Sequence, residues 1–151
     1  MKIKPVSVNE VAYAAHRLAV KFMTWNEPIP SFNTRFPNVL ESCLEIPFRT
    51  YERKHFYQGI TGKGAILFYL MVKNHPFQNG NKRTAVMTLF FFLYKNGKWL
   101  DIGNEELYRV AVGVAKSKGS KSKDRIMLWL EKTFAQHLIS YPRKRSIKRK
   151  K

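Results

Sequence analysis

The chain has 151 residues and a mass of 17.7 kDa, the size of one ordinary domain. Its 44% hydrophobic and 14% aromatic content excludes a wholly disordered chain. No apolar run approaches the roughly 18 residues that a membrane span needs. The 28 Lys and Arg against 10 Asp and Glu, a net +18, exclude a neutral surface and point to an anionic partner.

The elements follow in chain order. Ser7-Val-Asn-Glu10 reads as a capping box, and Val11, Ala15, Leu18 and Phe22 recur at helical spacing, which predicts an amphipathic helix over 8–23. Pro28 and Pro30 put 24–36 in a loop. A short helix is expected from Asn38 to Glu45, stopped by Pro47. Residues 48–58 mix Phe48, Tyr51, Phe56 and Tyr57 with charges and read as a β-hairpin. Thr61 is the expected cap of a long helix over 62–73, apolar all round and therefore central. After a loop, a second apolar helix runs from Asn81 to Lys95, with Gly97 just past its end. Asn104 is the expected cap of a helix to Ala115, with Glu105 and Glu106 in its first turn. The Lys/Ser/Gly stretch 116–121 reads as a solvated linker, and 123–138 as the last helix. The domain then spans 1–140, followed by a basic, disordered tail over 141–151 that holds seven Lys and Arg and no acid.

Cys43 stands alone, which excludes an internal disulfide, and its apolar surroundings predict a buried, inert thiol. His16, His55 and His137 have no metal-ligand spacing and read as structural or surface residues. Trp25, Trp99 and Trp129 read as core, and Thr84 as a helix-packing residue. The opening Met-Lys-Ile-Lys-Pro lacks an apolar signal core, so the expected location is the cytoplasm.

The informative segment is His75-Pro-Phe-Gln-Asn-Gly-Asn-Lys-Arg-Thr84. It lies at the start of a helix, where unpaired N–H groups and the positive dipole end favour an anion. Gly80 lets a ligand approach the backbone. Lys82 and Arg83 are cations at the end of a helix where cations are unfavourable, which makes sense if phosphates offset the cost. An imidazole five residues before Gly80 can take a proton from a hydroxyl. Base, anion cradle and charge stabiliser are the parts of a phosphate-transfer site. The bland alternative is a structural His and a solvated Lys-Arg face.

The order of these residues strongly resembles the signature of the Fic/Doc (fido) family, H-P-F-x-[D/E]-G-N-[G/K]-R, with eight of nine slots matched. Leu40 to Pro47 resembles the family's L-E-S-A-L-x-x-P segment, 48–58 occupies the place of its flap, and the likeness runs over about 7–135. The resemblance implies an all-α, fido-type helical bundle around two apolar central helices with a short β-hairpin flap. It implies transfer of part of ATP, a phosphoryl group or AMP, to a hydroxyl of a target protein. His75 would be the base, and Phe77 would anchor the loop. Gly80, Asn81 and Lys82 would cradle the phosphates, and Arg83 would grip them. The flap would hold the target segment by strand addition.

Two departures matter. Lys82, and Val86 where the adenylylating pattern has a second Arg, resemble the Doc branch of toxins, which transfer a phosphoryl group. Asn79 stands where the family has the Asp or Glu that holds Mg²⁺, and no carboxylate falls between 53 and 100 to replace it. The [S/T]-x-x-x-E-[G/N] pattern of the family's inhibitory helix is not matched, so the resemblance implies a separate antitoxin-type inhibitor. The alternative function is a degenerate fido domain that binds nucleotide, protein or, through the basic tail, nucleic acid.

Overall fold

The computed structural model describes residues 2–141, apart from the side chains of 119–121. The expected tail thus lies almost wholly outside the described residues. The fold is mostly helical, as the pattern predicts.

Ser7 caps α1 (Val8–Glu10) through a true capping box: its Oγ accepts from Glu10 N at 3.1 Å, and Glu10 Oε1 accepts from Ser7 N at 2.9 Å. A π-helical stretch, Val11–Ala15, follows and leads into α2 (His16–Phe22). The wider π turn changes which face is buried. Val11, Ala15, Ala19 and Met23 are fully buried at four-residue spacing, whereas Phe22, expected inside, is 57% exposed. The loop after α2 contains one 3₁₀ turn, Phe32–Thr34. Pro37 then opens α3 (Pro37–Glu45) at its first helical position.

The expected hairpin forms between β1 (Thr50–Tyr51) and β2 (Lys54–His55), paired antiparallel with Tyr51 opposite Lys54. Its two turn residues, Glu52 and Arg53, both have positive φ, 50° and 68°, the twist a two-residue hairpin loop demands. The hairpin is exposed, and the exposed rings of Tyr51 and Phe56 stack at 6.4 Å between ring centres.

The two apolar helices are α4 (Gly59–Lys73) and α5 (Asn81–Lys95). They lie side by side at the centre, with Ile66, Phe68, Met71, Val86 and Leu89 fully buried. Gln58, not Thr61, is the cap of α4, so the helix starts three residues before the expected 62. After α5 the chain forms β3 (Lys98–Leu100) and α6 (Asn104–Lys116). Gly103 caps α6, and Asn104 is its first helical residue. The linker shrinks to Ser117 and Lys118, because α7 begins at Gly119 and runs to His137. Leu130 and Phe134 of α7 close the core, Phe134 packing edge-on to Phe68. Trp129, expected in the core, is 42% exposed, since its neighbour Leu130 takes the inward position. A second pair of strands escaped the sequence reading: β4 (Leu138–Ser140) pairs antiparallel with β3.

Among the described residues no helix is long and apolar enough to cross a membrane. Cys43 is buried as expected, and burial pushes its thiol pKa up to about 12.

Candidate active site

The loop between α4 and α5 opens into a cavity of about 600 Å³. Five elements line it: the end of α4 at Val72, the loop itself, the first turn of α5, the segment after α2 through Asn26 and Glu27, and α6 through Tyr108 and Ala115. His75, Asn79, Gly80, Asn81, Lys82 and Arg83 are all among the lining residues. The site residues named from the sequence therefore meet at one place, with Phe77 beneath them.

His75 is exposed and has a left-handed backbone, φ 52°. That conformation is uncommon for a side-chain-bearing residue and concentrates at functional sites, where the surroundings over-determine it. The determinants are visible. Pro76, next in the chain, is buried, and its carbonyl accepts from Phe36 N at 2.8 Å. Phe77 is 2% exposed, with ring centres 5.5 Å from His16 and 5.9 Å from Phe32. Its ring packs the loop against the core.

Gly80 is the N-cap of α5, left-handed at φ 76°, and no side chain caps this helix end. Thr84 N makes the first helical bond, to Gly80 O at 2.9 Å. The N–H groups of Asn81 and Lys82 thus have no intrahelical acceptor. Lys82 is half-buried beside them. Dipole, N–H donors and a cation here make an arrangement whose chemistry suits an anion.

Two residues differ in role from the sequence reading. The Asn81 side chain is not free for a ligand: it is 8% exposed and binds both main-chain polar groups of Phe77. Its contribution to the cradle is its backbone N–H. Arg83 was expected to grip phosphates, but its guanidinium is 3% exposed and donates to three carbonyls: Nη1 to Met23 O at 3.0 Å and Trp25 O at 2.6 Å, Nη2 to Glu27 O at 2.6 Å. The fork ties the 23–27 segment to α5, because three carbonyls converge there that no backbone N–H reaches.

That segment is what the sequence reading missed. Asn26 Nδ2 donates to Tyr108 Oη at 2.8 Å, and Trp25 meets the Tyr108 ring edge-on, so the segment is also tied to α6. Glu27 reaches the loop: its Oε1 accepts from Asn79 Nδ2 at 3.1 Å. Asn79 Oδ1 in turn accepts from Gly80 N at 2.8 Å. The carboxylate beside Asn79 thus comes from 52 positions earlier in the chain. Nothing in local spacing announces such a contact; only the odd placement of an acid between Asn26 and Pro28 hints at it. Among the described residues no three His, Cys, Asp or Glu assemble into a metal-binding group.

A family model described as Fic/DOC matches residues 7–93, more than half of the chain. The chain belongs to the Fic/DOC family. Fic/DOC proteins generally transfer nucleotide-derived groups to other proteins. No curated protein and no solved structure gives a match. The matched region ends within α5, so the Fic/DOC part supplies the loop, the cradle and Glu27, while Tyr108 and Ala115 complete the cavity from beyond it.

Proposed function

We propose that this Fic/DOC protein is a Doc-like, ATP-dependent protein phosphotransferase. The observation that carries the reading is the pairing of an exposed, backbone-strained His75 with the uncapped N-terminus of α5 across one cavity. A nucleotide triphosphate fits that pairing: phosphates at the N–H groups of Asn81 and Lys82 and at the Lys82 ammonium, with the hydroxyl of a target protein at His75. The hydroxyl oxygen attacks the γ-phosphorus, its proton passes to the His75 imidazole, the bond from the γ-phosphorus to the bridging oxygen breaks, and ADP leaves. Lys82, and Val86 in place of a second Arg, favour phosphoryl over AMP transfer. In AMP transfer the attack falls on the α-phosphorus and pyrophosphate leaves.

The exposed hairpin of β1 and β2 offers unpaired edges on which an extended target segment can lie. A separate antitoxin-type protein is the expected restraint. Mg²⁺ belongs with such a substrate, and Glu27 beside Asn79 gives the cavity an anionic oxygen suited to it.

The test uses ATP labelled at the α- or the γ-phosphorus and cellular protein as acceptor, with mass spectrometry of the product. Label from the γ-position alone supports phosphotransfer; label from the α-position assigns AMP transfer. His75→Ala should lower transfer by at least about 100-fold while ATP still binds. Binding without transfer in the unaltered protein would instead favour a nucleotide-binding module, the reading to which Asn79 lends weight.

A further inference from the structure

The cavity contains a feature that an anion cradle alone does not explain. Among the residues lining it Glu27 is the one acid, in a chain of +18. Lys82 and Arg83 line the same cavity, yet the one ion pair among the described residues is Lys95 with Glu10. Among the described residues no cation of the protein pairs with the Glu27 carboxylate. A negative charge here repels phosphates, unless a divalent cation lies between them.

Its position is built rather than incidental. Arg83 Nη2 holds the Glu27 carbonyl at 2.6 Å, and Asn26, the preceding residue, is tied to Tyr108. The side-chain amide of Asn79 then orients the carboxylate, donating to Oε1 at 3.1 Å, while its own oxygen is turned to Gly80 N. Asn79 thus acts as a donor toward an acid. An Asp at 79 could not donate that hydrogen bond and would set two carboxylates against each other.

We infer that Glu27 is the carboxylate ligand of the divalent cation that accompanies ATP, with Asn79 as its positioning residue. The acid has moved from the helix-leading loop to the 23–27 segment. Mg²⁺ bound to a nucleotide needs only one or two protein carboxylates, because phosphate oxygens and waters supply the rest. The assignment rests on the ATP reading above.

The test is calorimetric and needs no turnover. A β,γ-methylene analogue of ATP is titrated into the full chain, with Mg²⁺ and with EDTA. Mg²⁺ should tighten binding to the unaltered protein. Glu27→Gln should cut the Mg²⁺-dependent gain by roughly tenfold or more. In EDTA the same variant should bind the analogue at least as well as the unaltered protein, because a repulsive charge has gone. That reversal of sign with metal is not expected of a carboxylate that only braces a loop. The variant E27Q/N79D returns an acid to the loop and should regain the gain. Undiminished Mg²⁺ dependence in Glu27→Gln, or none in the unaltered protein, overturns the assignment and leaves the ATP reading standing. Failure of the analogue to bind in either buffer overturns both.

Discussion

The side-chain amide of Asn81 grips the backbone of Phe77 on both sides. Its oxygen accepts from Phe77 N at 2.8 Å, and its nitrogen donates to Phe77 O at 2.9 Å. One residue at the start of α5 thereby holds the loop that presents His75, in the way a strand would hold its neighbour. The bonds are buried, so water cannot replace them when the amide is removed.

Asn81→Ala should therefore destabilise the protein by at least about 2 kcal/mol, since two buried main-chain groups lose their partners together. Asn81→Asp should not rescue it. The carboxylate still accepts from Phe77 N but faces Phe77 O with a second negative oxygen. Urea midpoints for the three proteins check this, and equal midpoints would mean that the loop holds itself.

Arg83 joins the 23–27 segment to α5 through three carbonyls. Arg83→Lys keeps the charge but not the fork, and should lose on the order of 3 kcal/mol of stability in the absence of any nucleotide. A guanidinium whose main work was to hold phosphate would behave differently. Its replacement would weaken ATP binding and leave the thermal midpoint where it was. Melting curves without ligand separate the two.

The division between what was legible in the sequence and what was not follows the range of the interactions. The capping box at Ser7, the two central helices and the terminator at Gly97 rest on residues within a turn of each other, and the pattern displays them. His75, Phe77, Gly80 and Lys82 are legible for the same reason: the loop and helix start that place them are contiguous. The π stretch at Val11–Ala15 is not, because it is tertiary packing that selects Ala19 and Met23 over Leu18 and Phe22 for the inner face. The β3–β4 pair joins residues some forty positions apart, and short strands carry little pattern. The placement of Glu27 and the carbonyl partners of Arg83 depend on a loop folding back across the cavity, and no periodicity records that return.

Gly80 answers to two demands. Its φ of 76° is costly for any other residue by about 1–2 kcal/mol, and an added Cβ would lie 2.7 Å from Ile29 Cγ1. Gly80→Ala should accordingly lose both stability and nucleotide binding, as Ile29 is pushed off the helix start. Ile29→Ala in the same chain removes the clash and leaves the backbone strain. The double variant should be more stable than the two single effects summed predict, by about 1 kcal/mol. Strict additivity would show that strain alone excludes alanine there.

His16 gives the anchor of the loop a dependence on pH. Its ring is 6% exposed, sits between Phe32 and Phe77, and has Nε2 3.0 Å from Pro30 O. Burial pushes its pKa below the usual histidine value, and the Pro30 carbonyl offsets this only in part. The unfolded chain therefore binds a proton near pH 6.5 before the folded one does. The stability tied to neutral His16 is complete above that pH and is lost as pH falls through it. Between about pH 7.5 and about pH 5 the melting temperature should drop. His16→Gln can still donate to Pro30 O but does not titrate; its melting temperature should start lower and fall less steeply. Parallel slopes for the two proteins would assign the acid sensitivity to other groups.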